Sequence, residues 1–198
     1  MAADPNRQHM TVEEYLQLDQ SSPDAKYEYA DGVVYNLRDP QDLAGGSAAH
    51  SWISINLIVL LDRLLRNSSC RVFNSDMRVR VDPTHYMFPD VSISCAPEDL
   101  QEDNDTIYDP RVIIEVLSPS TEAYDRGKKF AYYQQLESIQ EYVLVSVLQQ
   151  TIEVFTRSGD SWQYHRYHAG ESAQLHSMAL SLPLVDVYVH VSTDNERI

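Results

Sequence analysis

The chain has 198 residues, of which 43% are hydrophobic and 23% are charged, and both fractions are close to those of an ordinary globular domain. Acidic residues outnumber Lys and Arg by 30 to 15, and the resulting net charge of −15 argues against a protein that coats nucleic acid through a basic face. Such a charge is typical of a soluble protein, and it leaves open an enzyme that binds nucleic acid through a local basic strip or through metal ions.

The cysteines and the N-terminal segment indicate in which cellular compartment the protein is expected. Cys70 and Cys95 have neither a CxxC neighbour nor metal-ligand spacing, so we predict two reduced core thiols in preference to a disulfide. The N-terminal segment lacks the apolar stretch of a signal peptide. The apolar run near residues 52–61 contains polar side chains and is too short to span a bilayer. We therefore expect a cytoplasmic protein without a membrane segment.

The first part of the chain predicts a helix, a hairpin and a second helix. Residues 11–14 form a capping-box pattern that begins a short helix. Residues 26–37 predict a β-hairpin that turns at Asp31-Gly32. A longer helix is predicted to begin near Ser47. Its apolar residues at helical spacing are Trp52, Ile55, Val59 and Leu60, with Leu64 following.

Strands dominate the rest of the chain. Residues 98–109 form an acidic stretch that predicts a solvated loop, and residues 122–137 predict a helix. Strand-like segments lie at 70–81, 87–94, 112–117, 141–147, 151–157 and 161–168. This order of elements predicts a single α/β domain over residues 1–198, with a mixed central sheet flanked by helices and with loose termini at 1–9 and 191–198.

The segment VIIEVLSPST, residues 112–121, places one carboxylate in an apolar strand. Because side chains alternate along a strand, Glu115 shares a face with Ile113 and Leu117, and both faces of this strand are apolar. An ionised carboxylate in that position is costly unless it is paired, hydrogen-bonded or bound to a metal. Glu115 could therefore pair with an arginine, point to the strand end where cover stops, or bind a metal ion.

A second carboxylate favours the metal. Asp90 follows Pro89 at the beginning of another predicted strand, although an Asp in that position also commonly opens a turn. Mg²⁺ prefers hard oxygen ligands, usually one or two carboxylates completed by water and substrate phosphate. Two carboxylates on neighbouring strands would meet this requirement.

The predicted helix after SPST carries a lysine on a face that also bears apolar residues. Asp125, Lys129 and Tyr133 are four residues apart and share one helical face, which Leu136 continues. A simple reading is an Asp–Lys pair at the surface. Because the same face bears a tyrosine and a leucine, we expect it to turn toward the sheet, so that Lys129 reaches the neighbourhood of Glu115. An ammonium there can orient water and stabilise charge on a phosphate.

These residues together resemble a known family. The motifs are PD at 89–90, EVL at 115–117 followed by SPST, D-x3-K-x3-Y at 125–133, and EYVLV at 141–145. They resemble the Uma-two-type restriction endonucleases of the PD-(D/E)xK nuclease superfamily over roughly residues 10–190. The superfamily motif would place its lysine at position 117, which is Leu117 here. The resemblance implies that this lysine has moved to the following helix, at Lys129, with Lys128 as the alternative.

The resemblance implies an α/β restriction-endonuclease-like fold and a Mg²⁺-dependent endonuclease that hydrolyses DNA, with Mn²⁺ as a possible substitute for Mg²⁺. Asp90, Glu115 and the backbone carbonyl of Val116 would hold the metal, and Lys129 would position the attacking water. Glu28, in the early hairpin, would reach the metal site, unless it is only an exposed strand carboxylate. A homodimer is expected by analogy alone.

Contacts with substrate are more weakly indicated. His50 lies in the first turn of the predicted second helix, where a histidine can also serve as a surface or capping residue. A modest basic strip consists of Arg78, Arg80, Arg111, Arg126 and Lys128. Two other functions remain open: a non-catalytic binding module on a nuclease fold, which the charge of −15 favours because phosphate attraction dominates nucleic-acid affinity, and a metal hydrolase of small phosphoesters.

Overall fold

The computed structural model describes residues 9–22, 25–37 and 47–193. The helices are α1 (Val12–Ser21), α2 (Ala48–Leu65), α3 (Glu122–Tyr124), α4 (Phe130–Tyr133) and α5 (Leu184–Val187), with a π turn at Asp125–Lys129 and short 3-10 turns at Pro97–Leu100 and His176–Met178. The strands are β1 (Tyr27–Ala30), β2 (Val33–Asn36), β3 (Arg71–Asn74), β4 (Arg78–Asp82), β5 (His85–Met87), β6 (Val91–Ser94), β7 (Thr106–Ile107), β8 (Pro110–Leu117), β9 (Glu141–Ser146), β10 (Thr151–Ser158), β11 (Ser161–His168), β12 (Ser172–Leu175) and β13 (Leu180–Pro183).

A mixed six-stranded sheet forms the centre of the molecule, in the order β11-β10-β9-β8-β6-β3. Only the β8–β9 pair is parallel in this sheet, and the other pairs are antiparallel. A second sheet has the order β2-β1-β5-β4-β7, and β12 pairs with β13 in a separate hairpin. The predicted mixed sheet with flanking helices is confirmed.

The strand β8 is buried on both faces, as its sequence predicts. Val112, Ile114 and Val116 face a core built with α2 and α5. Ile113 and Leu117 face a second core that contains α4 and residues of the smaller sheet. Glu115 lies on this second face, with 2% of its surface exposed. The carboxylate therefore points between the two sheets, toward the helix that follows SPST.

The early hairpin forms as predicted. Asp31 and Gly32 have φ angles of +52° and +82°, as a two-residue type I′ turn requires, and the strands pair with Ala30 opposite Val33. The turn is anchored to the helical region because the Tyr132 hydroxyl donates a hydrogen bond to Asp31 Oδ2 at 2.9 Å. The hairpin thus holds β1, with Glu28, against the second core.

The predicted second helix is present as α2, but most of the apolar residues that indicated it lie on its exposed side. Leu60 is buried, but Trp52, Ile55 and Val59 are 49%, 54% and 64% exposed, and Leu64 is also exposed. The buried residues of α2 are Ile53, Leu57, Leu60, Leu61 and Leu65. These follow the i, i+4, i+7, i+8 pattern of a core-facing stripe. The helix is apolar on much of its circumference. Periodicity alone therefore could not tell which of two apolar faces is buried.

The length of α2 bears on whether this helix could span a membrane. The apolar helix has 18 residues and a mean hydropathy of 1.3, so by length and composition it could cross a membrane. This corrects the expectation that the apolar run is too short. It is weak evidence for a membrane span, because a core helix of a soluble protein passes the same test, and the buried stripe of α2 packs on the central sheet.

The prediction of two reduced thiols is wrong, because Cys70 and Cys95 form a disulfide. Cys70 directly precedes β3 and Cys95 directly follows β6. These antiparallel strands pair Arg71 with Ser94, so continuing the register by one residue places the two cysteines opposite each other. Their sequence separation of 25 positions concealed the pairing in the sequence.

Three further segments differ from their predictions. Residues 70–81 form two strands in different sheets, separated by a turn at 75–77. The acidic stretch 98–109 is partly buried, because Asp99 accepts hydrogen bonds from Ser94 Oγ at 2.7 Å and from the backbone N–H of Tyr108 and Asp109. The predicted helix 122–137 is α3, the π turn and α4, and it ends at Tyr133.

The predicted loose termini lie mostly outside the described residues. His9 is the last residue of the predicted loose N-terminus, and it forms an isolated antiparallel bridge with Val33. At the other end, Val191 and Thr193 are buried. The described part of both segments is therefore packed on the fold.

Candidate active site

Asp90 and Glu115 lie opposite each other on neighbouring strands. Val91 of β6 pairs with Ile114 of β8, so the residues before and after them, Asp90 and Glu115, face across the same ladder. The backbone N–H of Asp90 is 3.4 Å from Glu115 Oε2, and the N–H of Val116 donates to Asp90 Oδ2 at 2.7 Å. The two carboxylates that the sequence singled out are therefore adjacent, although 25 positions apart in the chain.

Lys129 occupies the space beside Glu115. Its Nζ is 2.9 Å from Glu115 Oε1 and 3.0 Å from Glu28 Oε1, and it donates to the carbonyl of Phe88 at 3.3 Å. Three acceptors thus match the three donors of the ammonium. The cationic partner of Glu115 is therefore this lysine and not an arginine, and the face of the helical segment does turn inward.

The charges of this buried group shift one another. Burial alone would lower the pKa of the Lys129 ammonium, but the charges of Glu115 and Glu28 outweigh it and hold that pKa well above its usual value. Burial raises the pKa of Glu115 well above its usual value, although Lys129 acts in the opposite direction. The lysine stays charged, and its charge favours the ionised form of Glu115 against the effect of burial.

Glu28 is fully buried, which contradicts the reading of an exposed strand carboxylate. Its Oε1 accepts from the backbone N–H of Phe88 at 3.0 Å as well as from Lys129, and its Oε2 lies 3.3 Å from the Tyr124 hydroxyl. Both oxygens therefore have protein partners. In this arrangement Glu28 supports the lysine.

His50 reaches the same place from the first turn of α2. The hydroxyl of Ser47 caps this helix by accepting from the His50 backbone N–H at 3.2 Å. The His50 Nε2 atom is 3.2 Å from Asp90 Oδ2. Burial would lower the pKa of the imidazole, but the hydrogen bond and charge of Asp90 raise it, and the backbone of Val116 acts in the same direction. His50 thus lies beside two of the predicted metal ligands.

The π turn widens the helical segment where Asp125 and Lys129 face the sheet. The Tyr142 hydroxyl of β9 donates to the Asp125 carbonyl at 2.9 Å and so anchors the turn on the sheet. Burial raises the pKa of the Asp125 carboxyl to about 6 despite the charge of Lys129, whose Nζ is 4.0 Å away. Such single π turns occur frequently at functional sites.

These side chains line a cleft of about 230 Å³. The charged residues in its wall are four carboxylates and two lysines, together with His50; the carboxylates belong to Glu28, Asp90, Glu115 and Asp125, and the lysines are Lys26 and Lys129. Within residues 9–22, 25–37 and 47–193, no group of three or more His, Cys, Asp or Glu side chains is arranged to hold a metal ion. The excess of carboxylates over ammonium groups nevertheless makes the cleft attractive to a cation.

The basic residues predicted to contact substrate are not brought into this cleft. Arg78 is buried between Asp19 and Asp105, with a 2.6 Å ion pair to each. Arg126 binds Glu122 and Glu153. Lys128 is half exposed and lies 5.5 Å from the centre of the Tyr132 ring. Of the weaker candidates, only His50 lines the cleft.

Sequence reasoning missed several residues of the cleft wall. Lys26 precedes β1 and lies two residues before Glu28, so alternation along the strand would have placed both on one face. Ser118 and Thr121, in the segment predicted only to stop a strand and cap a helix, have hydroxyl oxygens 2.9 Å apart and also line the cleft. No sequence pattern indicated Tyr124, because its contact with Glu28 joins segments that are far apart in the chain.

The comparisons with known proteins agree with this architecture. The profile of the Uma2 family, described as "Putative restriction endonuclease", matches residues 12–185. The chain belongs to the Uma2 family. Two relatives from Synechocystis sp. (strain ATCC 27184 / PCC 6803 / Kazusa) are similar: "Uncharacterized protein slr1290" is 37% identical, over 90% of this chain and 91% of its own length, and "Uncharacterized protein sll1609" is 30% identical, over 84% and 91%.

A solved structure shares the fold. The crystal structure described as "a putative nuclease belonging to DUF820", from Anabaena variabilis ATCC 29413, superposes with a TM-score of 0.71 at 20% identity, covering 92% of this chain and 99% of that chain. The restriction-endonuclease-like fold expected of an Uma2 protein is therefore shown. The family and the fold together support a restriction-endonuclease-like nuclease.

Proposed function

We propose that this Uma2 protein is a divalent-metal-dependent endonuclease that hydrolyses DNA, with Asp90, Glu115 and Lys129 at its centre. The observation that carries the proposal is the meeting of three residues from separate elements: two carboxylates opposite each other in a strand ladder, and a buried lysine 2.9 Å from one of them. The family and the fold support a nuclease. We propose in addition the divalent metal, the DNA substrate and the role of Lys129.

The donor set fits a hard divalent cation such as Mg²⁺ or Mn²⁺. Asp90 and Glu115 would hold it, with the Val116 carbonyl as a further oxygen ligand. Two carboxylates are sufficient, because Mg²⁺ commonly takes one or two together with water and substrate phosphate. When bound, such an ion supplies a water of lowered pKa and neutralises charge on the scissile phosphate.

The side chains of the protein would do the positioning. Lys129, fixed by Glu28 and Glu115, holds a positive charge at the cleft floor, where that charge would orient a nearby water and stabilise charge that develops on the phosphate. Glu28 restrains the lysine, and Tyr124 in turn restrains Glu28. His50, on Asp90, is placed to donate a hydrogen bond to a phosphate oxygen at the edge of the same site.

A plasmid nicking assay tests this function. Purified protein with Mg²⁺ or Mn²⁺ should convert supercoiled plasmid to open-circular and linear forms, and EDTA should stop the conversion. Asp90→Asn, Glu115→Gln and Lys129→Met should each lower the rate by at least about 100-fold, the scale on which a preorganised charged group acts. Glu137→Gln, which alters an exposed carboxylate outside the cleft, is the matched control. Equal nicking by wild type and Asp90→Asn would refute the proposal.

The second candidate is a non-catalytic binding module on the nuclease fold. Two observations favour it: the donors of Lys129 are already satisfied by protein, and three or more metal-ligating side chains do not converge in the described part of the chain. Nucleic-acid or protein binding without metal uptake in titration calorimetry, and without nicking, would select this alternative. Hydrolysis of a chromogenic phosphodiester without cleavage of DNA would select the small-phosphoester hydrolase.

A further inference from the structure

The cleft contains a second ammonium group that the proposed chemistry does not use. Lys26 lies immediately before β1 and shares a strand face with Glu28, so its stem runs along the same wall. Its side chain is 24% exposed, whereas that of Lys129 is 6% exposed. Lys129 therefore lies at the floor of the cleft and Lys26 at its mouth, where solvent and ligands can reach it.

The partners of Lys26 can be exchanged for a ligand. The Nζ atom donates to the carbonyl of Ser75 at 2.9 Å and pairs with Asp76 Oδ1 at 2.5 Å. Asp76 is 70% exposed, and an ion pair that is open to water is weak. A phosphate can therefore replace Asp76 without leaving a buried charge. Lys129 has no such freedom, because its two carboxylate partners are buried.

The turn that holds Lys26 is tied to the central site. Asn74, the last residue of β3, pairs with Val91 of β6, so Ser75 lies next to Asp90 in the ladder. Both Ser75 and Asp90 line the cleft. Lys26 thus stands one strand away from the proposed metal ligands.

The SPST segment contributes hydroxyl groups to the same cleft. Ser118 Oγ is 2.9 Å from Thr121 Oγ1 and 3.0 Å from Ser120 Oγ, and Ser118 and Thr121 belong to the wall. Hydroxyl groups and lysines are common partners of phosphate oxygens in complexes with DNA. The cleft therefore combines a partly exposed lysine with neutral hydroxyl groups and with a wall rich in carboxylates.

We propose that Lys26 binds a backbone phosphate that flanks the scissile one, and that this contact makes the site selective for a nucleic-acid strand over a small phosphoester. The inference rests on the proposed function, because it names the substrate class of the same cleft. Lys26 is a substrate-binding residue in this proposal, and it takes no part in the hydrolytic step, so a substrate with a single phosphodiester group does not reach it.

Binding of a fluorescent duplex oligonucleotide over a range of KCl concentrations, with Ca²⁺ in place of Mg²⁺ to prevent cleavage, tests the contact directly. Lys26→Gln should weaken binding several-fold and reduce the slope of log K against log[salt] by about 1, since each neutralised phosphate contributes about 0.9. Arg66→Gln is the matched control, because it removes the same charge from an exposed position at the end of α2. Its slope should equal that of the wild type.

Three further variants guard against a folding artefact. Lys26→Arg keeps the charge and should restore the slope. Asp76→Asn frees Lys26 from its carboxylate and should tighten binding, whereas Asp160→Asn, an exposed change of the same charge on the β10–β11 turn, should not. A slope for Lys26→Gln equal to that of a wild type that does bind and nick DNA would overturn this inference alone.

Activity provides the second readout. Lys26→Gln should lower kcat/KM for DNA through KM, and should lower kcat/KM for bis-p-nitrophenyl phosphate by a clearly smaller factor. An equal loss on both substrates would assign Lys26 to the hydrolytic step and overturn the inference. If the wild type neither binds nor nicks DNA with any divalent metal, the proposed function fails, and this inference falls with it.

Discussion

The ammonium of Lys129 lies 2.9 Å from the carboxylate of Glu115, although the lysine belongs to a π turn and the glutamate to the central strand β8. This contact answers why an apolar strand carries a charge. Glu115 is buried toward a cleft that contains its counter-ion, and the nearby Asp90 and His50 extend the polar group to the solvent side.

Removing the lysine should destabilise the fold as well as the activity. Lys129→Met leaves Glu28 and Glu115 buried without their cation, and loss of one partner of a buried ion pair typically costs about 3–5 kcal/mol. Urea denaturation at neutral pH measures this loss. Lys128→Met, at a half-exposed position, should change the free energy of unfolding by less than about 0.5 kcal/mol.

A double-mutant cycle sharpens the same test. Glu28→Gln combined with Lys129→Met should cost less than the sum of the two single changes, because the second change removes a charge that the first has stranded. Additive costs would mean that Glu28 and Lys129 do not interact in solution.

Glu28 should be dispensable for metal uptake, and Asp90 should not. Both oxygens of Glu28 have protein partners, Lys129 and Phe88 on one and Tyr124 on the other. We therefore expect titration calorimetry with Mn²⁺ to show binding by Glu28→Gln and none by Asp90→Asn. Loss of binding in a Glu28→Gln protein of unchanged melting temperature would return Glu28 to the ligand set.

Glu153 should stabilise the protein in a pH-dependent way. Burial would raise its pKa, but hydrogen bonds from Arg126 and Arg166 outweigh burial and hold the pKa below its usual value. The pKa of this acid is thus lower in the folded protein than in the unfolded chain. Its contribution to stability is present in full above the unfolded pKa of about 4.3 and is lost as the pH falls through the folded value.

Melting temperatures of wild type and Glu153→Gln should accordingly differ by a constant amount between pH 6 and 8 and converge below about pH 4. Glu137→Gln, at an exposed position, should follow the wild type throughout. A difference that persists unchanged at the lowest pH would show that the loss comes from packing rather than from the two arginine pairs.

The disulfide should contribute substantially to stability. Cys70 and Cys95 close a loop with a separation of 25 residues, for which the chain-entropy estimate is about 3–4 kcal/mol. Cys70→Ser with Cys95→Ser should lower the free energy of unfolding by that order, and dithiothreitol should lower it for the wild type only. A thiol titration that finds two free cysteines in the native protein would contradict the pairing.

The central strand, the hairpin and the inward faces of Glu115 and Lys129 could be predicted from the sequence because their signals are local. Alternation places Glu115 on a buried face, Asp31-Gly32 permits the positive φ angles of a tight turn, and the four-residue spacing puts Lys129 on the same face as Tyr133. The free-energy cost of burying an unpaired carboxylate is also evident from the strand sequence alone, and it indicated that Glu115 has a partner.

The other features of the fold and the cleft depended on contacts between segments that are distant in the sequence. The register of β3 with β6 brought Cys70 opposite Cys95, and the approach of β1 to the helical segment gave Glu28 its lysine and placed Lys26 in the cleft wall. The buried side of α2 was chosen by the sheet against which it packs. Residue type and spacing determine which side chains are costly to bury, whereas only the packed fold determines the partner that offsets the cost.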